Sequence, residues 1–234
     1  MRDLGMKPAE KPRQSSARHS GNTLGIAKAN GRAEIQGVLA QDGSTKAKIE
    51  RGALGLFVAH GVDGVSVKEI ANSAGITDAA IYRHYASKAA LAEGLMLAIH
   101  DRLTRLVRDV AAQDAPFRAQ ITALVNAYCQ AADADWQLFA YHLLHLHHFP
   151  ELFAGGSGDK GAKRDSPVTA CADMITGAIE RGETKPGNVE LLAAMTLGVV
   201  LQAASAKAYM RLRGSLSIYA SEFDKAVWAI LSHR

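Results

Sequence analysis

From Thr45 onward, apolar residues recur at helical spacing and strand-like alternation is sparse, so the pattern predicts an all-α chain. Ile49, Ala53, Leu56 and Phe57 form one stripe, giving a helix from about Thr45 to His60 with Lys46, Lys48 and Arg51 on its outer side. Gly61-Val62-Asp63-Gly64 is a turn. Ser66 followed three residues later by Glu69 is a capping-box pattern, which starts a second helix at Val67. That helix carries Val67, Ile70, Ala71 and Ala74 inward and ends at Gly75, where left-handed backbone is expected. Thr77 is placed to cap a third helix through its hydroxyl, with Ile81 and Tyr85 inward at i, i+4. Ser87 then opens a long helix through Leu91, Leu95, Ile99, Leu103, Leu106 and Val110, whose Arg102, Arg105 and Arg108 read as a solvated face.

The rest of the chain continues the helical period. Pro116 favours a helix start ahead of Ile121, Leu124, Val125, Tyr128 and Cys129, and Asp135 can cap a helix with Trp136, Phe139, Leu143, Leu144 and Leu146 that stops at Pro150. Gly155 to Lys163 is glycine-rich and polar and is expected to be a mobile loop. Ser166-Pro167 opens a helix through Val168, Cys171, Ile175 and Ile179, broken at Pro186-Gly187. The last two helices, about 189–211 and 217–232, hold Leu191, Leu192, Met195, Val199, Phe223, Val227, Trp228 and Leu231 among small residues.

Two short helices joined by a tight turn over about 66–85 form a helix-turn-helix, and helices so short need a third to lean on. The second is the one to enter a groove. Its leftover residues suit a polyanion: Ala79 and Ala80 admit close approach and contact with a thymine methyl, while Tyr82, Arg83, His84 and Lys88 supply donors for phosphate. Lys46, Ser66, Lys68 and Thr77 complete the candidate DNA-binding set.

The segment from about Thr45 to Leu91 resembles the DNA-binding domain of the tetracycline-repressor (TetR) family of bacterial transcription regulators. The resemblance rests on Ile49, Ala53, Phe57 and Gly61, then Ser66-Val67, Ile70-Ala71, Ala74-Gly75-Ile76-Thr77, Ile81-Tyr82-Arg83-His84-Tyr85, Ser87-Lys88 and Leu91. It implies that Tyr82, His84 and Lys88 grip phosphates and that Thr77 to Ala80 with Arg83 approach bases. Tyr85 departs from the usual Phe and Ala89 from the usual acid. Gly52 and Gly55 interrupt a usually Ala-rich helix, at about 1 kcal/mol each. The resemblance also implies that the last helices pair with a second copy as a four-helix bundle; burial against the same chain is the alternative.

Composition adds limits. The 234-residue chain, 48% hydrophobic and 21% charged, is ordinary for a globular protein. Of its net +4, residues 1–42 and the two that follow contribute +3, seven Lys/Arg against four acids. Rich in Gly, Ser, Pro and Asn, residues 1–42 read as a disordered basic tail without the apolar core of a signal peptide. The run from Leu191 to Leu201 is shorter than the roughly 20 residues of a bilayer span, so no membrane partner is expected. Cys129 and Cys171 read as reduced core residues, fitting a cytoplasmic location. No glycine-rich phosphate loop or nucleophile elbow appears, so neither catalytic residues nor a cofactor are expected and the chain is not read as an enzyme.

His142, His145, His147 and His148 crowd one helix, but no carboxylate or cysteine accompanies them at ligand spacing, so no metal site is assigned. They are expected to face solvent or line a ligand cavity, for which Tyr128, Trp136, Phe139, His142, His145, Cys171 and Ile175 are the candidate residues. The resulting expectation is a tail over 1–42, an N-terminal three-helix helix-turn-helix DNA-binding domain over 43–103, and a larger helical ligand-binding and dimerisation domain over 104–234. Its function is that of a homodimeric repressor on a near-palindromic double-stranded DNA operator, released by a small apolar effector. A ligand-independent architectural DNA binder and a histidine-cluster metal-binding protein are the alternatives.

Overall fold

A computed structural model describes residues 43–150 and 165–232. The tail and the glycine-rich loop anticipated at Gly155–Lys163 lie outside the described residues. All regular elements among those described are helical: α1 (Thr45–His60), α2 (Val67–Ala74), α3 (Asp78–Tyr82), α4 (Lys88–Ala111), α5 (Phe117–Ala134), α6 (Trp136–His145), α7 (Pro167–Glu180), α8 (Val189–Ala208) and α9 (Ala220–Ser232), with 3₁₀ turns at Leu146–His148 and Leu216–Tyr219. Side chains set many of the starts. Ser44, Ser87, Asp135, Ser166 and Asn188 each accept a backbone N–H from the first turn that follows.

α1, α2 and α3 form the head around Ile49, Phe57, Ile70, Ala71 and Ile81, all essentially free of solvent. Gly52 has a local purpose that composition hides. A Cβ there would lie 3.0 Å from Ser73 Oγ, so the glycine lets α1 and α2 cross closely. At Gly55 the nearest neighbour is Gln137 Nε2 at 3.5 Å, and nothing forbids a methyl group.

α4 belongs to both units, because its first turns complete the head while Ile99, Leu103, Val107 and Val110 are buried in the body. The boundary expected at residue 103 therefore falls inside a continuous helix. Gln120 closes the α4–α5 corner by donating Nε2–H to Ala111 O and Gln113 O at 3.1 and 3.0 Å. Arg108, partly exposed as expected, also bridges Asp165 and Asp173 at 2.8 and 2.7 Å, linking the far end of α4 to α7. α6 seats the body on the head. Tyr141 stacks on Phe57 with ring centroids 6.0 Å apart, and its hydroxyl donates to Ala92 O at 3.0 Å.

α8 is longer than the run from Leu191 to Leu201 suggested, and at 20 residues it matches a bilayer span by length and composition. Leu192, Ala193, Thr196, Leu197, Val200 and Ala204 bury one side of it against the core. The other side leaves Leu191 and Met195 at 49% and 40% exposure. Trp228 on α9 is partly buried, stacked beneath the Arg118 guanidinium at 5.0 Å and beside Phe117. Cys129 and Cys171 are buried free thiols, both pushed up to about 12 by burial.

Candidate nucleic-acid interface

The helix-turn-helix is built as its residue types require. Ser66 Oγ accepts from Glu69 N at 3.2 Å while Glu69 Oε2 accepts from Ser66 N at 2.7 Å, so both halves of the capping box are present. These bonds hold the Glu69 carboxyl below its usual range. Gly75 takes up φ 67°, which lets the chain leave α2 with its N–H still bonded to Ala71 O and Asn72 O. Thr77 starts α3 in an extended conformation, but its side chain makes no cap bond. That corrects the expected hydroxyl cap, and the Thr77 side chain remains on the surface.

α3 is five residues long and shows Ala79 and Tyr82 to solvent beside the buried Ile81; Arg83 and His84, also exposed, follow its end, so the helix stops short of Tyr85, which helical spacing had placed on it. Tyr82 is 55% exposed. Lys46, Lys48 and Lys68 are also exposed. Three other expected contacts are spent or hidden. Ala80 is 4% exposed and packs inward, so it cannot touch a base. Lys88 points its ammonium into the preceding turn, donating to Val62 O and Val65 O at 2.7 Å each and more weakly to Asp63 O at 3.5 Å. It closes that turn instead of reaching for a phosphate. Ser66 lies on the surface, but its hydroxyl serves the capping box. Arg51, placed outside by the helical pattern, instead pairs with Asp135 at 2.7 Å and fastens α1 to the body.

Tyr85 has a partner that residue types alone did not reveal. Its hydroxyl donates to Glu50 Oε1 at 2.6 Å, and Glu50 is 8% exposed. Burial and this carboxylate both push the phenol well above its usual range. The phenol standing where the family has Phe therefore supplies the hydrogen bond that a buried carboxylate needs.

The candidate ligand residues divide. Tyr128, Phe139, His142, Cys171 and Ile175 are buried in the body, with Tyr128 and Phe139 packed edge to face at 6.3 Å. Trp136 is partly buried beneath Lys207 Nζ at 5.0 Å, and His145 faces a cleft beside the head. The histidines split into two groups. His142 Nε2 lies 3.0 Å from His100 Nδ1, one nitrogen donating to the other, while His145, His147 and His148 stack on one another. Burial first, and His100 second, push His142 down to about 3, so it is neutral. Among the described residues no group of three or more His, Cys, Asp or Glu is arranged to hold a metal ion. Sequence reading missed His100, although Met96, His100, Leu103 and Val107 follow one inward helical stripe. It also missed Thr196, whose Oγ1 is buried without a hydrogen-bond partner.

Residues 49–95 match the family model for bacterial regulatory proteins of the tetR family. The HTH-type transcriptional repressor KstR2 of Rhodococcus jostii (strain RHA1) is 29% identical over 93 residues, 40% of this chain and 46% of that protein. The chain thus aligns with under half the length of this curated relative. The fold is shared more widely. The ketosteroid transcriptional regulator KstR2 of Mycobacterium tuberculosis superposes with a TM-score of 0.63 at 20% identity, over 83% of this chain and 98% of that one. FadR from Bacillus subtilis in complex with stearoyl-CoA gives 0.61 at 16% identity, over 80% and 98%. Residues 49–95 thus form a capped helix-turn-helix that fits the model of the tetR family of bacterial regulatory proteins, on an all-α fold shared over about four fifths of the chain with such regulators.

Proposed function

We propose that the protein is a transcriptional repressor that binds a near-palindromic operator as a homodimer and is released by a largely apolar small molecule. The observation that carries the DNA-binding part is the exposed run Tyr82, Arg83 and His84, the last residue of α3 and the two that follow it, next to the buried Ile81. A phenol, a guanidinium and an imidazole at adjacent positions have no use for one another there, and all can donate to phosphate or base edges. The base-facing set is Thr77, Ala79 and Arg83, with Tyr82, His84, Lys46, Lys48 and Lys68 on phosphates. Selection of bound duplexes from a randomised pool tests this. Enrichment of a two-fold symmetric site is expected, with half-sites about 34 to 36 Å apart or a modest departure absorbed by DNA distortion. Recovery of unrelated sequences would reject the reading.

Dimerisation is supported by the exposed side of α8, where Leu191 and Met195 lie one helical turn apart on a helix otherwise packed on the core. Effector release is supported by a polar group stranded in the apolar body, the buried Thr196 hydroxyl without a partner. A guest with an oxygen function would satisfy it. The related proteins' names point the same way, with a ketosteroid regulator and a complex with stearoyl-CoA among them. α4 runs from the head through the body, so a guest that favours one tilt of α4 changes the spacing of two heads. Linkage then requires operator DNA and effector to weaken each other by the same factor.

A further inference from the structure

An open groove of about 680 Å³ runs along α1, between the end of α2 and the start of α6. Ala47 and Leu56 of α1 and Ala74 of α2 give it an apolar lining, and Lys48 and Arg51 give it positive charge. Gly43, the first residue described before α1, belongs to the same lining, so the preceding chain reaches the groove directly. Its φ of 70° lets the chain turn sharply ahead of the Ser44 cap. The ten residues before Gly43 differ from the rest of the tail. Residues 1–32 hold seven Lys/Arg against two acids, whereas residues 33–42 hold Glu34 and Asp42 and no basic residue. Ile35, Val38 and Leu39 recur among them at i, i+3 and i+4, the spacing of one helical side. Ten helical residues measure about 15 Å and the stretch of α1 from Thr45 to Leu56 about 16 Å, so segment and groove agree in length.

We propose that residues 33–42 fold back along α1 as a short helix and occupy this groove in the same chain. Ile35, Val38 and Leu39 pack on Ala47, Leu56 and Ala74, and the two carboxylates lie toward Lys48 and Arg51. The link through Gly43 has the length of a helical-hairpin connection. Tethering favours this occupant, because a segment joined at the groove's edge is present at a millimolar effective concentration. A helix this short is marginal alone, and the groove supplies the packing that it lacks. The assignment goes beyond the operator and effector readings and depends on neither.

A nitroxide attached to Gln137→Cys, an exposed position on the groove, tests this in the full chain without DNA. The chain's own thiols, Cys129 and Cys171, are buried, so the label goes to the new one. In amide NMR spectra the signals of residues 33–42 should be lost with the oxidised label and return when it is reduced, while those of residues 1–25 persist in both. Ile35→Asp combined with Leu39→Asp should restore the lost signals and leave the rest of the spectrum unchanged. Signals of residues 33–42 that ignore the label would overturn the docking. So would broadening that survives the double variant, because it would report only a tethered chain near the label. Broadening that arises only when spin-labelled chains are mixed with isotopically labelled native chains would put the segment on a second copy and overturn the same-chain assignment.

Discussion

The head and the interior of the body use polar side chains in opposite ways. At the end of α3 the polar residues project outward from a small scaffold, and Tyr82, Arg83 and His84 lie open to solvent. In the body the polar groups are enclosed, and their partners come from distant parts of the chain: His142 meets His100, and Tyr141 reaches Ala92 O. An outward residue is limited by its own chemistry, whereas an enclosed one is defined by what surrounds it. This difference explains why the head's surface can be read residue by residue while the body's role is proposed from one stranded hydroxyl, that of Thr196. It also separates the mutations that should affect binding alone from those that should affect folding.

The largest expected effect tests whether the exposed side of α8 is an interface. Leu191→Glu combined with Met195→Glu should give a monomer by light scattering and abolish operator binding, with the melting temperature of the isolated chain little changed. Leu191 is the better choice over Trp228, which is engaged with Arg118 and Phe117 and would disturb the core. A dimer that persists after both changes would refute the interface.

Within the head, Arg83→Ala should weaken operator binding by about 1 to 3 kcal/mol with relaxed preference at one base pair, if its guanidinium reads a base edge. Its stability should not move. Tyr85→Phe should do the reverse: loss of the phenol leaves the buried Glu50 carboxylate without its 2.6 Å donor, at a cost of about 1 to 3 kcal/mol in denaturant unfolding. Lys88→Ala belongs with Tyr85→Phe, because the ammonium holds the turn before α2 and not a phosphate. If Lys88→Ala lowered DNA affinity without lowering stability, that assignment would fail.

The body should reveal itself through pH. His142 sits at about 3 when folded against 6.5 for an ordinary imidazole, so the unfolded chain binds more protons between those values. Stability is therefore full above about pH 6.5 and is lost as pH falls toward 3, with a slope of up to about 1.4 kcal/mol per pH unit from this group. Urea unfolding at pH 7 and pH 5 measures it, and His142→Asn should flatten the dependence. A steeper slope in the variant would contradict the assignment. The smallest effect concerns α1: Gly55→Ala should stabilise by up to about 1 kcal/mol, the gain in helix propensity, while at Gly52 contact with Ser73 offsets the same gain. Thermal melts of the two variants should differ in that direction.

Local sequence determined the helices and their ends, because a cap or a turn needs only residues three or four apart. The capping box of Ser66 and Glu69, the left-handed Gly75 and the starts at Ser87, Asp135 and Ser166 all follow from such short reach. The inward stripes and the outward donors of α3 were legible for the same reason, since helical spacing alone divides one side from the other. Tertiary structure decided every matter that depends on a distant neighbour. It turned Lys88 from a candidate phosphate contact into a brace, tied the outward Arg51 to Asp135, buried Ala80 and paired Tyr85 with Glu50 across 35 residues. It also split the histidine cluster between a buried pair and a cleft at the head. A side chain's type and spacing specify what it can bond to, but only packing brings it a partner or leaves it without one.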